Sequence, residues 1–207
     1  VLYPDRYRAV AGLSVPYSPS PAAPPVQTMR QIFKDTFFYI VYFQDTVIAE
    51  AELEADTRRS MRLILYAASG DAPPAPGFAG KPKGAGLLDG MTDPAELPRW
   101  LTEEDLDYFA SEFKRTGFRG GINRYRNMDR DWEELPRLAG ARITQPALFI
   151  YGSKDGVVAM NPASIETMKQ HCDDLRNIVM LPGAGHWTQQ ERPDETNAAL
   201  IEFLKGL

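Results

Sequence analysis

The chain has 207 residues, 43% hydrophobic and 25% charged, with 23 Lys+Arg against 28 Asp+Glu; this is a globular composition and not that of a disordered chain. The net charge of −5 argues against a nucleic-acid partner, which requires excess basic side chains on one face. One cysteine, Cys172, and two histidines, His171 and His186, exclude an internal disulfide, a thiolate metal site and a multi-histidine metal centre.

Residues 7–17, YRAVAGLSVPY, place Val10, Leu13 and Val15 among small neighbours and predict a buried strand ending at Pro16. SPSPAAPP at 18–25 is a linker, because proline removes donors and fixes φ. In 27–44 a short helix is followed by the aromatic run FFYIVYFQ, expected to be extended. AEAELEADTRRSMRLILYAA, 49–68, reads as one helix with acids early and arginines late. Residues 70–90 hold ten Gly or Pro in 21 positions and predict a long loop. Thr102 with Asp105 predicts a capping box opening a helix to about Arg115, which Gly117, Gly120 and Gly121 then break. NRYRNMDRDW, 123–132, predicts a third helix.

From residue 143 the pattern changes. ITQPALFIYG, 143–152, has a continuous apolar run after its Pro, as in a strand buried on both faces. Asn161-Pro162 is expected to open a helix ending near His171, NIVMLPG at 177–183 is a second buried strand, and Pro193 opens a last helix. In that helix Ala198, Leu200, Ile201 and Leu204 are expected to face the core. Strand, loop, helix, strand, loop, helix means parallel α/β structure. Residues 25–135 read as a mostly helical insert between strands. No stretch approaches the roughly 20 apolar residues of a membrane span.

Two residues stand where parallel sheets place ligands, just past the carboxyl ends of strands. Asp155 follows the 143–152 strand and His186 follows the next one. A carboxylate there can accept from one imidazole nitrogen, fix the tautomer, and stabilise the imidazolium when the other nitrogen takes a proton. Taken singly each residue has an ordinary turn or structural explanation; together, at adjacent strand ends, they read as a base and its orienter. The nucleophile such a pair would serve is not found. No Gly-x-Ser-x-Gly or Gly-x-Asp-x-Gly elbow occurs, Ser14 lacks the flanking glycines, and no His-Gly-x-Pro oxyanion loop is present.

Tyr39, Tyr42 and Tyr125 lie in the insert. A phenol can donate a hydrogen bond to an oxygen gaining charge without losing its proton at neutral pH, although most of nine tyrosines are packing residues. The arginines at 115, 119, 124, 126 and 130 adjoin Asp129, Asp131, Glu133 and Glu134 and read as a solvated helix face. Cys172 is read as inert. The glycines at 84, 86 and 90 follow no strand and form no dinucleotide loop.

Together these motifs resemble the epoxide hydrolases of the α/β-hydrolase fold along essentially the whole chain. YRAVAGLSVPY resembles the strand leading into the cap, YIVYFQ with AEAELEAD the segment carrying the first epoxide-binding tyrosine, Tyr39, and RYRNMDRDW the segment carrying the second, Tyr125. PALFIYGSKDGVV matches the charge-relay acid at Asp155, and GAGHWTQQERPDETN the general base at His186. The tyrosine segments are the specific part; Asp155 and His186 alone fit many hydrolases, including haloalkane and fluoroacetate dehalogenases. The family's usual Pro-Gly after YFQ is Asp45-Thr46 here.

The resemblance implies a partial parallel sheet with an inserted helical cap: 1–24 core strand and linker, 25–138 cap, 139–207 the C-terminal part of the core. It implies a nucleophilic aspartate upstream of Val1, so the chain is expected to be the C-terminal part of a longer protein and inactive alone. An incomplete sheet with an open edge, or that edge filled by another chain, is expected; a full eight-stranded sheet would refute this. Pro16, Val158 and Trp187 are expected to line the substrate pocket. The expected partners are a small apolar epoxide and water, with no nucleic acid, no membrane, no metal or organic cofactor, homodimerisation left open and a cytoplasmic location. Two alternatives are a dehalogenase or other hydrolase of the same fold, and a non-catalytic fragment acting as a binding module.

Overall fold

The structure, a computed structural model, describes residues 1–75 and 77–207. In chain order its elements are β1 (Val10–Leu13), α1 (Pro25–Ile32), β2 (Thr36–Phe38), α2 (Tyr39–Tyr42), α3 (Ile48–Ala55), α4 (Thr57–Ala67) and β3 (Ala79–Pro82). There follow α5 (Glu103–Thr116), α6 (Arg119–Arg126), α7 (Met128–Glu134), β4 (Ile143–Gly152), α8 (Gly156–Met160), α9 (Ala163–His171), β5 (Cys172–Leu181), α10 (Thr188–Glu191) and α11 (Pro193–Lys205). They fall into two units: Val1–Pro21 with Ala68–Asp71 and Pro136–Leu207, and Ala22–Ala67 with Ala72–Leu135.

The first unit is built on a parallel sheet of order β1-β4-β5 among the described residues. The apolar run 143–152 becomes the central strand: β4 pairs with β1 from Val10↔Ala147 to Leu13↔Ile150, and with β5 through Gly152↔Leu181. Successive side chains of a strand point to opposite faces. Thus Phe149 joins Ile143, Ala147, Met168 and Cys172 on one face, with Ile165 of α9 against them. Leu148 and Ile150 join Leu181 and Ala184 on the other, covered by Ala199, Leu200 and Phe203 of α11. Phe149 and Ile150 are fully buried, so from Ala147 onward β4 carries no polar face, as a strand between two helical layers requires. Among the described residues β1 and β5 each pair on one side only, so the sheet is partial and both are its edges.

Several expectations are corrected here. β5 starts at Cys172, not 177; the CDDLR start is polar because an edge strand needs only one buried face, and Arg176 pairs with Asp174 on the exposed one. A short α8, capped by Asp155, precedes α9. In α11 the residues facing the core are Ala199, Leu200 and Phe203, while Ala198 is exposed and Ile201 and Leu204 are 53% and 60% exposed. The helix is rotated by about one residue from the expected face.

The second unit is mostly helical. The expected long helix is two, because the Asp56 carboxylate accepts from Arg59 N at 3.0 Å and starts a new helix there. The Thr102–Asp105 capping box is present and α5 ends at Gly117, whose φ of 72° only glycine adopts freely. Gly120 and Gly121, expected to break structure, lie inside α6, and the segment 123–132 is shared between α6 and α7. FFYIVYFQ is strand only to Phe38 and then turns helical. The Gly/Pro-rich stretch contains β3, which pairs antiparallel with β2 (Thr36↔Pro82). Lys81 of β3 is buried; its amine donates to the Gly86 and Leu87 carbonyls and lies 4.2 Å over the Phe37 ring. No helix of the described residues is long and apolar enough to cross a membrane.

Candidate active site

In the first unit the end of β4 delivers the acid. Ser153 N donates to Leu181 O and Lys154 N to Ala184 O, so the β4 loop is bonded to the segment following β5. Asp155 is 2% exposed. Its Oδ1 accepts from Val157 N at 2.8 Å, which caps α8 and fixes the carboxylate. The Nδ1 of half-buried His186 lies 3.2 and 3.1 Å from its two oxygens. A carboxylate at Nδ1 places the proton there in the neutral ring and leaves Nε2 to accept one.

The His186 backbone is held as closely as its ring. His186 N donates to Ala68 O at 2.9 Å, and its carbonyl accepts from Ser14 Oγ at 2.6 Å. Ser14 is buried and sits at φ 63°, a left-handed conformation unusual for serine, at the end of β1. The buried Glu191 carboxylate accepts from the amides of Gly70, Gly185 and Trp187. Sequence reasoning considered Ser14 only as a nucleophile and passed over Glu191. The unflanked serine and a lone glutamate after GHW carry no sequence signal for these contacts.

In the second unit the fold brings Tyr39 and Tyr125 together, their ring centroids 5.4 Å apart and the planes at 80°. Phe38, Phe43 and Phe78 pack round Tyr39 at centroid distances of 5.1, 5.7 and 5.8 Å. Burial, and then the neighbouring Tyr125 phenol, push the Tyr39 pKa above that of a free phenol, so it is a proton-bearing donor throughout the neutral range. Tyr42 is used differently: its hydroxyl donates to Glu52 at 2.5 Å, and Glu52 also accepts from Leu87 N and Leu88 N. Tyr42 thus supports the carboxylate that holds Leu87 and Leu88.

Tyr125 is tied to the turn after Tyr39. Gln44 Nε2 donates to the Ile40 and Tyr125 carbonyls, and Arg126 donates to Phe43 O, Asp45 O and both oxygens of Glu50. Arg126 therefore departs from the expected solvated face: its side chain and that of Glu50 are each only 13% exposed. The guanidinium holds the Glu50 carboxyl down at about 2, from an ordinary 4.5. A depressed folded-state pKa contributes stability that is complete above the ordinary value and is lost as pH falls toward 2. Glu50→Gln is expected to cost about 2 kcal/mol at pH 7. In urea unfolding the gap from the parent should close between pH 4.5 and 2; a gap independent of pH would contradict the assignment.

Of the three expected lining residues, Trp187 stands edge-on to His186, 5.1 Å between centroids. Pro16 is buried just after β1, and Val158 is half-buried on α8. Burial pushes the Cys172 thiol pKa up, away from reactivity. Among the described residues no group of three or more His, Cys, Asp or Glu side chains could hold a metal ion.

No protein-family model matches the chain. It is 44% identical over 211 residues to Epoxide hydrolase A of Mycobacterium tuberculosis, an alignment covering 100% of this chain and 64% of that protein. It is 33% identical over 241 residues to Epoxide hydrolase B of the same organism, covering 100% and 67%. The crystal structure of Epoxide Hydrolase A from Mycobacterium thermoresistibile superposes with a TM-score of 0.90 at 48% identity, covering 100% of this chain and 64% of that one. The chain therefore spans about two thirds of the length of these relatives.

Proposed function

We propose, for a chain that belongs to the epoxide hydrolases of the α/β-hydrolase fold, that it supplies the epoxide-polarising, acid and base groups of an enzyme converting epoxides to vicinal diols. The observation that carries this reading is the Tyr39–Tyr125 pair, since an Asp–His pair alone serves many hydrolases. In the proposed sequence, Tyr39 and Tyr125 donate to the epoxide oxygen. A carboxylate nucleophile, matched by no residue of this chain, attacks a ring carbon. The C–O bond breaks, the oxygen's developing charge is held by the two phenols, and an alkyl-enzyme ester forms. His186 Nε2 then takes a proton from water while Asp155 stabilises the imidazolium. The hydroxide attacks the ester carbonyl, the acyl C–O bond breaks and the leaving oxygen takes the proton from the imidazolium; the carboxylic acid so formed gives its proton to the oxygen held by the phenols, which restores the carboxylate as the diol leaves.

The aromatic surroundings of Tyr39 favour apolar epoxides. A carbon–halogen bond offers no oxygen to accept from a phenol, so the pair argues against the dehalogenase alternative. The test offers an aryl epoxide and a matched haloalkane to a full-length enzyme carrying this chain. Diol without halide is expected; halide release without diol would transfer the chain to the dehalogenase chemistry.

A further inference from the structure

We infer that Glu191 is a positioning residue for His186, its buried carboxylate setting the imidazole by gripping the backbone on both sides of it. The inference rests on the reading of His186 as the base. Glu191 is 6% exposed. Oε2 accepts from Gly70 N and Gly185 N, both at 2.8 Å, and Oε1 from Trp187 N at 3.0 Å. Gly185 and Trp187 are the two neighbours of His186 in the chain, so one side chain captures both flanking amides.

The packing explains why a carboxylate is needed there. A Cβ on Gly185 would lie 2.4 Å from Gly70 N and 2.5 Å from Ala68 O, and one on Gly70 would lie 1.9 Å from Gly183 O. The segment Ala68–Asp71 and the His186 loop therefore meet backbone to backbone, with no room for a side chain. Buried amides in such a contact need an acceptor, and only an ionised carboxylate presents enough lone pairs to take three. Charge-assisted bonds of this kind are short and directional. With Ser14 Oγ on the His186 carbonyl and Ala68 O on its amide, the backbone beneath the ring is restrained from every polar group it carries. The ring can then keep Nδ1 on Asp155 while Nε2 exchanges protons.

Glutamine is the discriminating substitution. It is isosteric, but one of its two acceptor atoms becomes an NH2 donor facing an amide donor. The experiment is NMR on a ¹⁵N-labelled full-length enzyme carrying this chain, reading the His186 Nδ1–H proton and amide hydrogen exchange. In Glu191→Gln, exchange at Gly185 and Trp187 is expected to accelerate by about tenfold or more, and the Nδ1–H signal to be lost, while β4 amides keep their protection. Glu191→Asp, with the charge kept and the reach shortened, should retain the imidazole signal with partly weakened loop protection. Faster amides with an unchanged Nδ1–H signal would overturn the inference, as would loss of β4 protection in both variants, which would make Glu191 a general structural residue. Asp155→Ala separates the premise: if Nδ1–H survives there, the acid–base pairing has failed by itself, whatever Glu191 does.

Discussion

Replacing His186 by glutamine in a full-length enzyme carrying this chain is expected to reduce steady-state turnover by about three to four orders of magnitude, while leaving the first covalent step largely intact. The reason lies in the division of roles. In the proposed mechanism, ring opening draws on the phenols and the nucleophile. Ester hydrolysis requires a proton to leave water, and the Nε2 of His186 is the nitrogen left for it when Nδ1 faces Asp155. Glutamine keeps the side-chain bulk and has no basic nitrogen. The variant should thus consume about one equivalent of epoxide per active site and stop, holding an alkyl ester that mass spectrometry detects as substrate mass added to the protein. Multiple turnovers without ester accumulation would show that another group activates the water. Asp155→Asn is expected to act in the same direction with a comparable effect of about 10³- to 10⁴-fold, since an amide can keep the ring in place but favours the wrong tautomer and cannot stabilise the imidazolium.

Removing the two phenols should produce the opposite kinetic picture. Tyr39→Phe or Tyr125→Phe alone is expected to slow ring opening by about 10²-fold, the usual cost of one donor to a developing oxyanion. The double variant should fall to background, with no ester trapped. The rings touch edge to face, so the losses are not expected to add as independent terms. Tyr42→Phe is the control on a neighbouring helical turn. It breaks the bond to Glu52 and should cost about 1 kcal/mol of stability with kcat unchanged. An unaltered rate in the Tyr39/Tyr125 double variant would remove the epoxide reading. A slowed Tyr42 variant would mean that the wrong phenol has been assigned.

Much of the first unit was legible because its signals are local. The apolar run that follows Pro146 is uninterrupted because both faces of β4 are buried there; in the second unit, Thr102 with Asp105 forms the cap that their spacing predicts. Misreadings arose where a partner distant in sequence decides the outcome. β3 exists because β2 pairs with it. Gly120 and Gly121 remain helical within α6 despite weak intrinsic propensity. Arg126, read as solvent-facing, is drawn inward by Glu50 and by the carbonyls of Phe43 and Asp45 just after α2.

The amino-acid order by itself determined the parallel α/β character, the helical insert, the Asp155 and His186 positions at strand ends, and the family resemblance. Each depends on patterns contained within a dozen or so neighbouring residues. Only the tertiary structure decided that Tyr39 has Tyr125 as its neighbour while Tyr42 is spent on Glu52, and that Glu191 and Ser14 hold the backbone at and beside His186. These pairings join residues separated by long stretches of chain or differ only by where a hydroxyl points. Hydrogen bonds act over about 3 Å in space, and spacing along the chain does not encode that distance.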